Sequence, residues 1–164
     1  MLPTVVVIFA IIVYPLYVII QGSLHDDRIL QLTYDSPLTL ANYERLFSDW
    51  RFGKAFAVTT LYMGITTVVS LVSGLIFALL LNQPFKGRRV ARVLSLVPWP
   101  VPASIAALIW MMMFDPTVGI LNHFLVRVGV FTKPLSWLSF PIPAFVAVSI
   151  ATIWKGTPFF TIVL

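Results

Sequence analysis

Apolar residues run almost unbroken through residues 2–20, 53–81, 93–114 and 141–164, with polar stretches between them. Each run is close to or longer than the roughly 20 residues a helix needs to cross the hydrocarbon core of a bilayer. The pattern predicts four membrane spans, at about 2–21, 53–82, 93–114 and 141–164, and an all-α polytopic transmembrane helical bundle. A cleaved signal peptide would want basic residues before a shorter apolar core and a small-residue cleavage site after it. Residues 2–20 have neither, and the chain starts inside the run, so the native amino-terminal end is expected to lie further upstream. Tyr14-Pro15 is expected to kink this first helix.

Between the first two spans, Asp26, Asp27, Asp35, Glu44 and Asp49 alternate with Arg28, Arg45 and Arg51. Asp35-Ser36-Pro37 reads as a turn. Thr39 is placed to cap a short helix over residues 40–47, with Leu40, Tyr43 and Phe47 on one face. Trp50 and Phe52 suit an interfacial belt. In the second span Thr66, Ser70, Gly74 and Ala78 recur every fourth residue, a stripe that lets another helix approach closely. Gly53-Lys54 is not a phosphate loop, because Ser48 stands where the upstream glycine is needed.

The third span carries the most information. It follows a loop holding Lys86, Arg88, Arg89 and Arg92 without an acidic residue, the excess expected of a cytoplasmic loop. It is then broken by Pro98, Pro100 and Pro102, which remove backbone donors and clash with the preceding turn. Backbone of this kind is tolerated at membrane depth only beside a cavity or inside protein, and transporters place substrate there. Pro98 lies about 9 Å of helix rise beyond Arg92. Pro102 suits the first turn of a new helix, whose free amides and positive dipole end would face the cavity. Asp115-Pro116 ends the span. From Gly119, residues Ile120, Leu121, Phe124, Leu125 and Val128 share a face opposite Asn122 and Arg127, an amphipathic helix for the outer surface that Gly129 would end. Lys133-Pro134 and Trp137 mark the next boundary.

In the fourth span, Trp154-Lys155-Gly156-Thr157-Pro158 is expected to interrupt the helix. Lys155 is the one ionisable group other than tyrosine deep within a span. It either serves function, as intramembrane charges do by default, or snorkels to the cytoplasmic headgroups. Counting crossings from the basic loop puts residues 22–52 and 115–140 outside and both visible ends in the cytoplasm.

Composition sharpens the class. The 164 residues are 59% hydrophobic and 10% charged, against about 25% charged in soluble domains. The net charge of +5 is concentrated in one short loop, so nucleic-acid binding is not expected. Cysteine is absent, which excludes disulfides and thiolate metal sites. His25 and His123 lie far apart in polar segments, where solvation is the expected role, so neither a metal nor a catalytic site is predicted. No Asp or Glu falls inside a span, so the carboxylate of an ion-coupled carrier is missing and energy must come from a partner or from residues not present here.

The ordered set of motifs resembles the membrane-spanning permease subunits of bacterial and archaeal ABC importers for carbohydrates, of the maltodextrin and glycerol-3-phosphate type. The motifs are Tyr14-Pro15; Asn42-Tyr43 with Leu46-Phe47, Asp49 and Phe52; Ala78-Leu79-Leu80-Leu81-Asn82; Gly87-Arg88 with Arg92; Pro98-Trp99 with Pro102; Ala107-Leu108-Ile109-Trp110 with Phe114; Gly119 with Asn122; Trp137-Leu138; and Trp154-Lys155 with Pro158-Phe159. The resemblance implies four visible spans of bilayer length out of about six in a larger permease. It implies alternating access powered by ATP and Mg in partner subunits, with no cofactor in this chain. The implied partners are a second permease subunit, two cytoplasmic ATPases, an extracytoplasmic sugar-binding protein and the plasma (inner) membrane. It also implies a substrate-lining set of Trp99, Ala103, Thr152, Lys155, Gly156 and Phe159. The family's Glu-Ala-Ala coupling loop is expected just after Leu164, so the chain is expected to be a fragment. The alternatives are a secondary carrier, a membrane-embedded enzyme acting on lipids, and an assembly subunit.

Overall fold

The computed structural model describes residues 6–26 and 37–164. The turn expected at Asp35-Ser36 and the charges at Asp27 and Arg28 lie outside them. Among the described residues every element is a helix, apart from a single backbone bridge between His25 and Leu38. The chain divides into two compact units, residues 1–58 and 59–164.

The first unit opens with α1 (Val6–Ser23), whose 18 residues are together long and apolar enough to span a bilayer. Pro15 cannot donate to the carbonyl four residues back and would clash with it. The helix absorbs this by widening over Phe9–Val13, where the Tyr14 amide reaches the Phe9 carbonyl five residues back. Such single wide turns within an α-helix are how an awkward residue is accommodated without ending it. A short helix, α2 (Ala41–Ser48), follows. Thr39 Oγ1 accepts from the Ala41 amide at 3.1 Å, one residue from the cap position expected of it.

Polar groups tie α2 to the end of α1. Asn42 Nδ2 donates to the Ser23 and His25 carbonyls at 3.1 and 2.8 Å, and the Ser23 and Tyr43 hydroxyls share a hydrogen bond of 2.7 Å. Arg45 grips Asp26 through two parallel bonds of 2.7 and 2.8 Å, and this hydrogen bonding holds the Asp26 carboxyl below its usual range. His25 is buried, with Nδ1 2.8 Å from the Gln21 carbonyl. The expectation of a solvated His25 is thereby corrected: the bridge to Leu38 folds the chain over it. Phe47, Phe52 and Phe56 form a ladder of ring contacts 5.7 and 6.2 Å apart. Trp50 stays exposed beneath the Arg51 and Lys54 cations.

The helix α3 (Trp50–Asn82) begins in the first unit and runs 33 residues, with most of its length in the second. Then come α4 (Arg88–Leu96), α5 (Ala103–Met113), α6 (Ile120–Arg127), one short 3-10 turn (Trp137–Ser139) and α7 (Pro141–Val163). α3 and α7 are long and apolar enough to cross a membrane, while α5 alone is too short. The stripe on α3 is the contact with α7. Thr66, Ser70 and Gly74 are buried. A Cβ on Gly74 would fall 2.4 Å from Phe160 Cβ, and one on Gly156 would fall 3.2 Å from Ser70 Oγ. One end of the pair is fastened by the Tyr62–Thr152 hydroxyl bond and a T-shaped contact of Tyr62 on Phe145. Because 62 meets 152, 70 meets 156 and 74 meets 160, the two helices run parallel.

Two expectations about helix boundaries need correcting. The basic segment is less a loop than the first turns of α4, which starts at Arg88 after Gly87 at φ +90°. Cations at a helix amino end oppose its dipole. Arg88 Nε and Arg92 instead turn back to the Leu81 carbonyl, at 2.6 and 3.3 Å, and so cap the negative end of α3. The fourth span is not interrupted either: α7 continues through Gly156 and Pro158. A single proline removes one backbone bond, and the Thr157 and Thr161 hydroxyls meanwhile bond carbonyls four residues back, at 2.7 and 2.9 Å. Such back-bonding bends a helix without breaking it.

Between α5 and α7 the chain forms a packed cap. Phe114, Trp137 and Ala147 are its buried core, flanked by Trp110, Leu121, Leu125, Phe131 and Leu135. Asn122 is wholly buried at its centre. The expected outward polar face of α6 is corrected at this residue: Asn122 points inward, while Ile120, Phe124 and Val128 of the predicted apolar face are exposed. Backbone carbonyls around the turn outbid water for its amide.

Candidate functional site

The break between α4 and α5 builds the site. In an unbroken helix the carbonyls of Leu94, Leu96 and Pro98 would accept from residues 98, 100 and 102, which are prolines and have no N–H. The backbone leaves the helix, with Trp99 donating to Leu96 at 3.1 Å and Pro102 extended at φ −54°, ψ 140°. It re-enters at α5, where the Ala106 amide bonds the Pro102 carbonyl at 3.0 Å. The carbonyls of Trp99 and Val101 point off the break.

Lys155 reaches them from α7. Its Nζ donates to Trp99 O at 3.2 Å and to Val101 O at 2.5 Å. The ammonium therefore turns toward the break. The fit is physical on both sides: carbonyls stripped of helical partners need donors, and an intramembrane ammonium needs acceptors.

A cavity of about 670 Å³ opens beside this contact, within the second unit. Its wall includes Trp99 and Ala103 from the break and the start of α5, and Thr152, Lys155, Gly156 and Phe159 from α7. All six residues singled out from the sequence thus line one space. Their side chains offer two aromatic faces, one hydroxyl and one ammonium on an otherwise apolar surface. Pockets of this size with a few placed polar groups are typical of small-molecule sites.

Residues that the sequence did not single out also shape the wall. Trp110 lies against Phe114 and Trp154, with ring centres 5.4 and 5.7 Å apart. Its indole N–H is buried without a partner among the described residues. Helical spacing along α5 and just past its end was the available signal, since Ala103, Ala106, Ala107, Trp110 and Phe114 fall on one face and all reach the cavity.

The cap is held by polar groups. Asn122 Nδ2 donates to the carbonyls of Phe114, Asp115 and Leu135 (3.4, 3.1 and 3.0 Å), while Oδ1 accepts from the Leu135 amide and Trp137 Nε1 (2.9 and 3.1 Å). Asp115 Oδ1 accepts from the Thr117 hydroxyl and from the Thr117 and Val118 amides. These bonds, the hydroxyl's first, hold the Asp115 carboxyl below its usual range. Gly119 is required for space, because a Cβ there would stand 2.3 Å from the Asp115 carbonyl. His123 faces the Gly119 carbonyl at 3.0 Å. Among the described residues no cluster of His, Cys, Asp and Glu could hold a metal ion.

No family model matches the chain. Over 99% of its length it is 37% identical to the trehalose/maltose transport system permease protein MalF of Thermococcus litoralis, covering 54% of that protein. It is 32% identical, again over 99% of its length, to the sulfoquinovosyl glycerol transport system permease protein SmoG of Agrobacterium fabrum, covering 52%. A Yersinia pestis sn-glycerol-3-phosphate transport system permease protein, UgpA, is 29% identical over 90 residues, 55% of this chain and 30% of that one. The chain thus spans about half the length of the curated relatives it matches most fully. Among solved structures, a chain of a bacterial ABC transporter involved in the import of the acidic polysaccharide alginate superposes with a TM-score of 0.80 at 21% identity. That match takes in 99% of this chain and 53% of the other. A second structure of an alginate ABC transporter, in complex with an alginate pentasaccharide-bound periplasmic protein, gives 0.81 at 19%. These structural matches establish the same all-α fold.

Proposed function

We propose that the chain, similar over 99% of its length to ABC-transporter permeases, forms with the rest of its length the translocation path of an ATP-driven importer for a sugar or sugar derivative. The observation that carries this reading is the convergence of Trp99, Ala103, Thr152, Lys155, Gly156 and Phe159 on one cavity beside a proline-broken helix. Aromatic faces pack on the C–H faces of a sugar ring, and the Thr152 hydroxyl and Lys155 ammonium can read its hydroxyl or acidic substituents. The relatives' names, covering neutral disaccharides, a sulfonated glycoside and a phosphorylated glycerol, support this range of cargo.

The chain contributes binding and movement and no covalent chemistry. Its six acidic residues all lie outside the long helices α1, α3 and α7, so no carboxylate is available there to couple transport to an ion gradient. On the importer reading the energy comes from ATP and Mg bound by two cytoplasmic ATPase subunits. A second permease subunit completes the path, and an extracytoplasmic binding protein delivers the cargo.

The test is purification of the full-length protein from native membranes in mild detergent, followed by uptake assays after reconstitution. Recovery of an ATPase and a second permease, with ATP-dependent sugar uptake, is the expected result. Recovery of the protein without a nucleotide-binding subunit, even after crosslinking, counts against an importer and favours a carrier. Trp99 is exposed, with its ring free to stack on cargo, and Trp99→Ala should lower uptake severalfold to about tenfold, given the roughly 0.5–1.5 kcal/mol of an aromatic ring contact.

A further inference from the structure

We propose that Lys155 is a positioning residue whose ammonium clamps the break between α4 and α5, so that the shape of the cavity wall depends on its hydrogen bonds to the Trp99 and Val101 carbonyls. The inference rests on the proposed transport role only for its consequence, since the clamp itself is a property of the fold.

Three observations converge on it. The prolines at 98, 100 and 102 leave backbone that no helix organises, and the carbonyls at 99 and 101 lie in that segment. The same ammonium bonds both, across 56 and 54 residues of sequence. Lys155 itself is anchored, because its helix packs closely on α3: Gly74 lies against Phe160 with no room for a Cβ, and Gly156 lies against Ser70, whose Oγ would stand 3.2 Å from a Cβ there. The rigid pair α3 and α7 thereby fixes the position of Trp99 and Ala103, which line the cavity.

An ammonium has three donors, and the two carbonyls take two of them. The third is left for an acceptor on the cavity side, where Thr152 and Lys155 share the wall. A ligand oxygen, from a hydroxyl or an acid group, then bonds the same nitrogen that holds the break. Occupancy and the geometry of the break are thus coupled through one atom, Nζ.

The experiment compares wild type, Lys155→Met and Lys155→Arg in the full-length permease within its purified complex. Hydrogen exchange is followed by mass spectrometry in the peptide spanning residues 97–107, without cargo or nucleotide. Loss of two charge-assisted bonds should speed exchange there about tenfold or more in Lys155→Met, with peptides of α3 unchanged. Lys155→Arg, which retains cationic donors, should return it toward wild type. Uptake by Lys155→Met should show a raised KM that Lys155→Arg recovers in part.

Unchanged exchange in Lys155→Met overturns the clamp, whatever happens to uptake, and equal acceleration in both variants overturns it too. If Lys155→Met does not assemble, Lys155→Cys replaces it. Alkylation with bromoethylamine rebuilds an ammonium on a stem of equal length, and residues 1–164 hold no cysteine to compete. Exchange that slows on alkylation supports the clamp, and exchange that does not slow overturns it. Because the exchange readout needs neither cargo nor ATPase activity, its failure leaves the importer reading standing, and the failure of that reading leaves the clamp standing.

Discussion

At the scale of single residues, the strongest constraints sit in the cap between α5 and α7. Asn122 satisfies five backbone and side-chain groups from a fully buried position. Asn122→Leu takes this partner from the Leu135 amide, the Trp137 indole N–H and the Phe114 carbonyl, while the Asp115 and Leu135 carbonyls keep the Gly119 and Trp137 amides; each buried group left unsatisfied costs about 1–3 kcal/mol. A sharp drop in the thermal midpoint of the purified protein is the expected result. Asn122→Asp should not rescue it: one oxygen can still accept from Leu135 and Trp137, but the other faces three carbonyls where an amide donated. A midpoint within a degree or two of wild type for either variant would refute this role. Asp115 adds a pH dependence. Its bonds to Thr117 and Val118 depress its folded pKa, so it stabilises the fold fully above the unfolded carboxyl value of about 3.9. That contribution fades as pH falls through the lower folded value. The midpoint difference between wild type and Asp115→Asn should hold constant from pH 7 to about 5 and shrink on further acidification. A difference that grows with acid would contradict the assignment.

At the scale of elements, the parallel pair α3 and α7 depends on the missing Cβ of Gly74, with Gly156 in a close contact beside it. Gly74→Ala forces Cβ to within 2.4 Å of Phe160 Cβ and should destabilise by about 1–3 kcal/mol, as overpacking does. Gly64, ten residues earlier on the same helix, has open space around it. Gly64→Ala should therefore be neutral or gain about 0.5–1 kcal/mol from helix propensity. Thermal melts of the two variants side by side decide the matter, and equal effects would dissolve the interface as drawn. This contact was readable in the sequence because small residues at a spacing of four mark a helix seam. So was the break, because three alternating prolines admit no continuous helix. The continuity of α7 through Pro158 was not readable, since local rules count the lost bond but not the packing of Gly156 on Ser70. Nor was the bond from Lys155 to residues 99 and 101, which depends on tertiary placement. Asn122 misled for a related reason: on a helix wheel an asparagine opposite an apolar face looks solvated, and only the returning chain at Leu135 and Trp137 makes it a buried hub.

At the scale of the whole molecule, the parallel run of α3 and α7 restricts the threading of the chain. Two helices crossing in the same direction need an odd number of crossings between them, and we propose that the broken α4–α5 segment supplies one. On that reading the segment around residues 82–92 and the cap at 115–140 lie on opposite faces of the membrane. The first holds Lys86, Arg88, Arg89 and Arg92 with no acid, while the second mixes Asp115 with Arg127 and Lys133. A cation excess in a short connection marks the cytoplasmic face. Capping of the Leu81 carbonyl uses Arg88 and Arg92, but Lys86 and Arg89 are exposed, and all four remain cations on one face. Lys86→Cys and Thr132→Cys, made separately in the cysteine-free 1–164 sequence of the full-length protein, report the orientation through an impermeant maleimide. Thr132→Cys should label in intact cells, and Lys86→Cys only after permeabilisation. The reverse pattern would invert the chain. Labelling of both from outside would mean that the α4–α5 segment does not cross, and would remove the cavity beside its break from any transmembrane path.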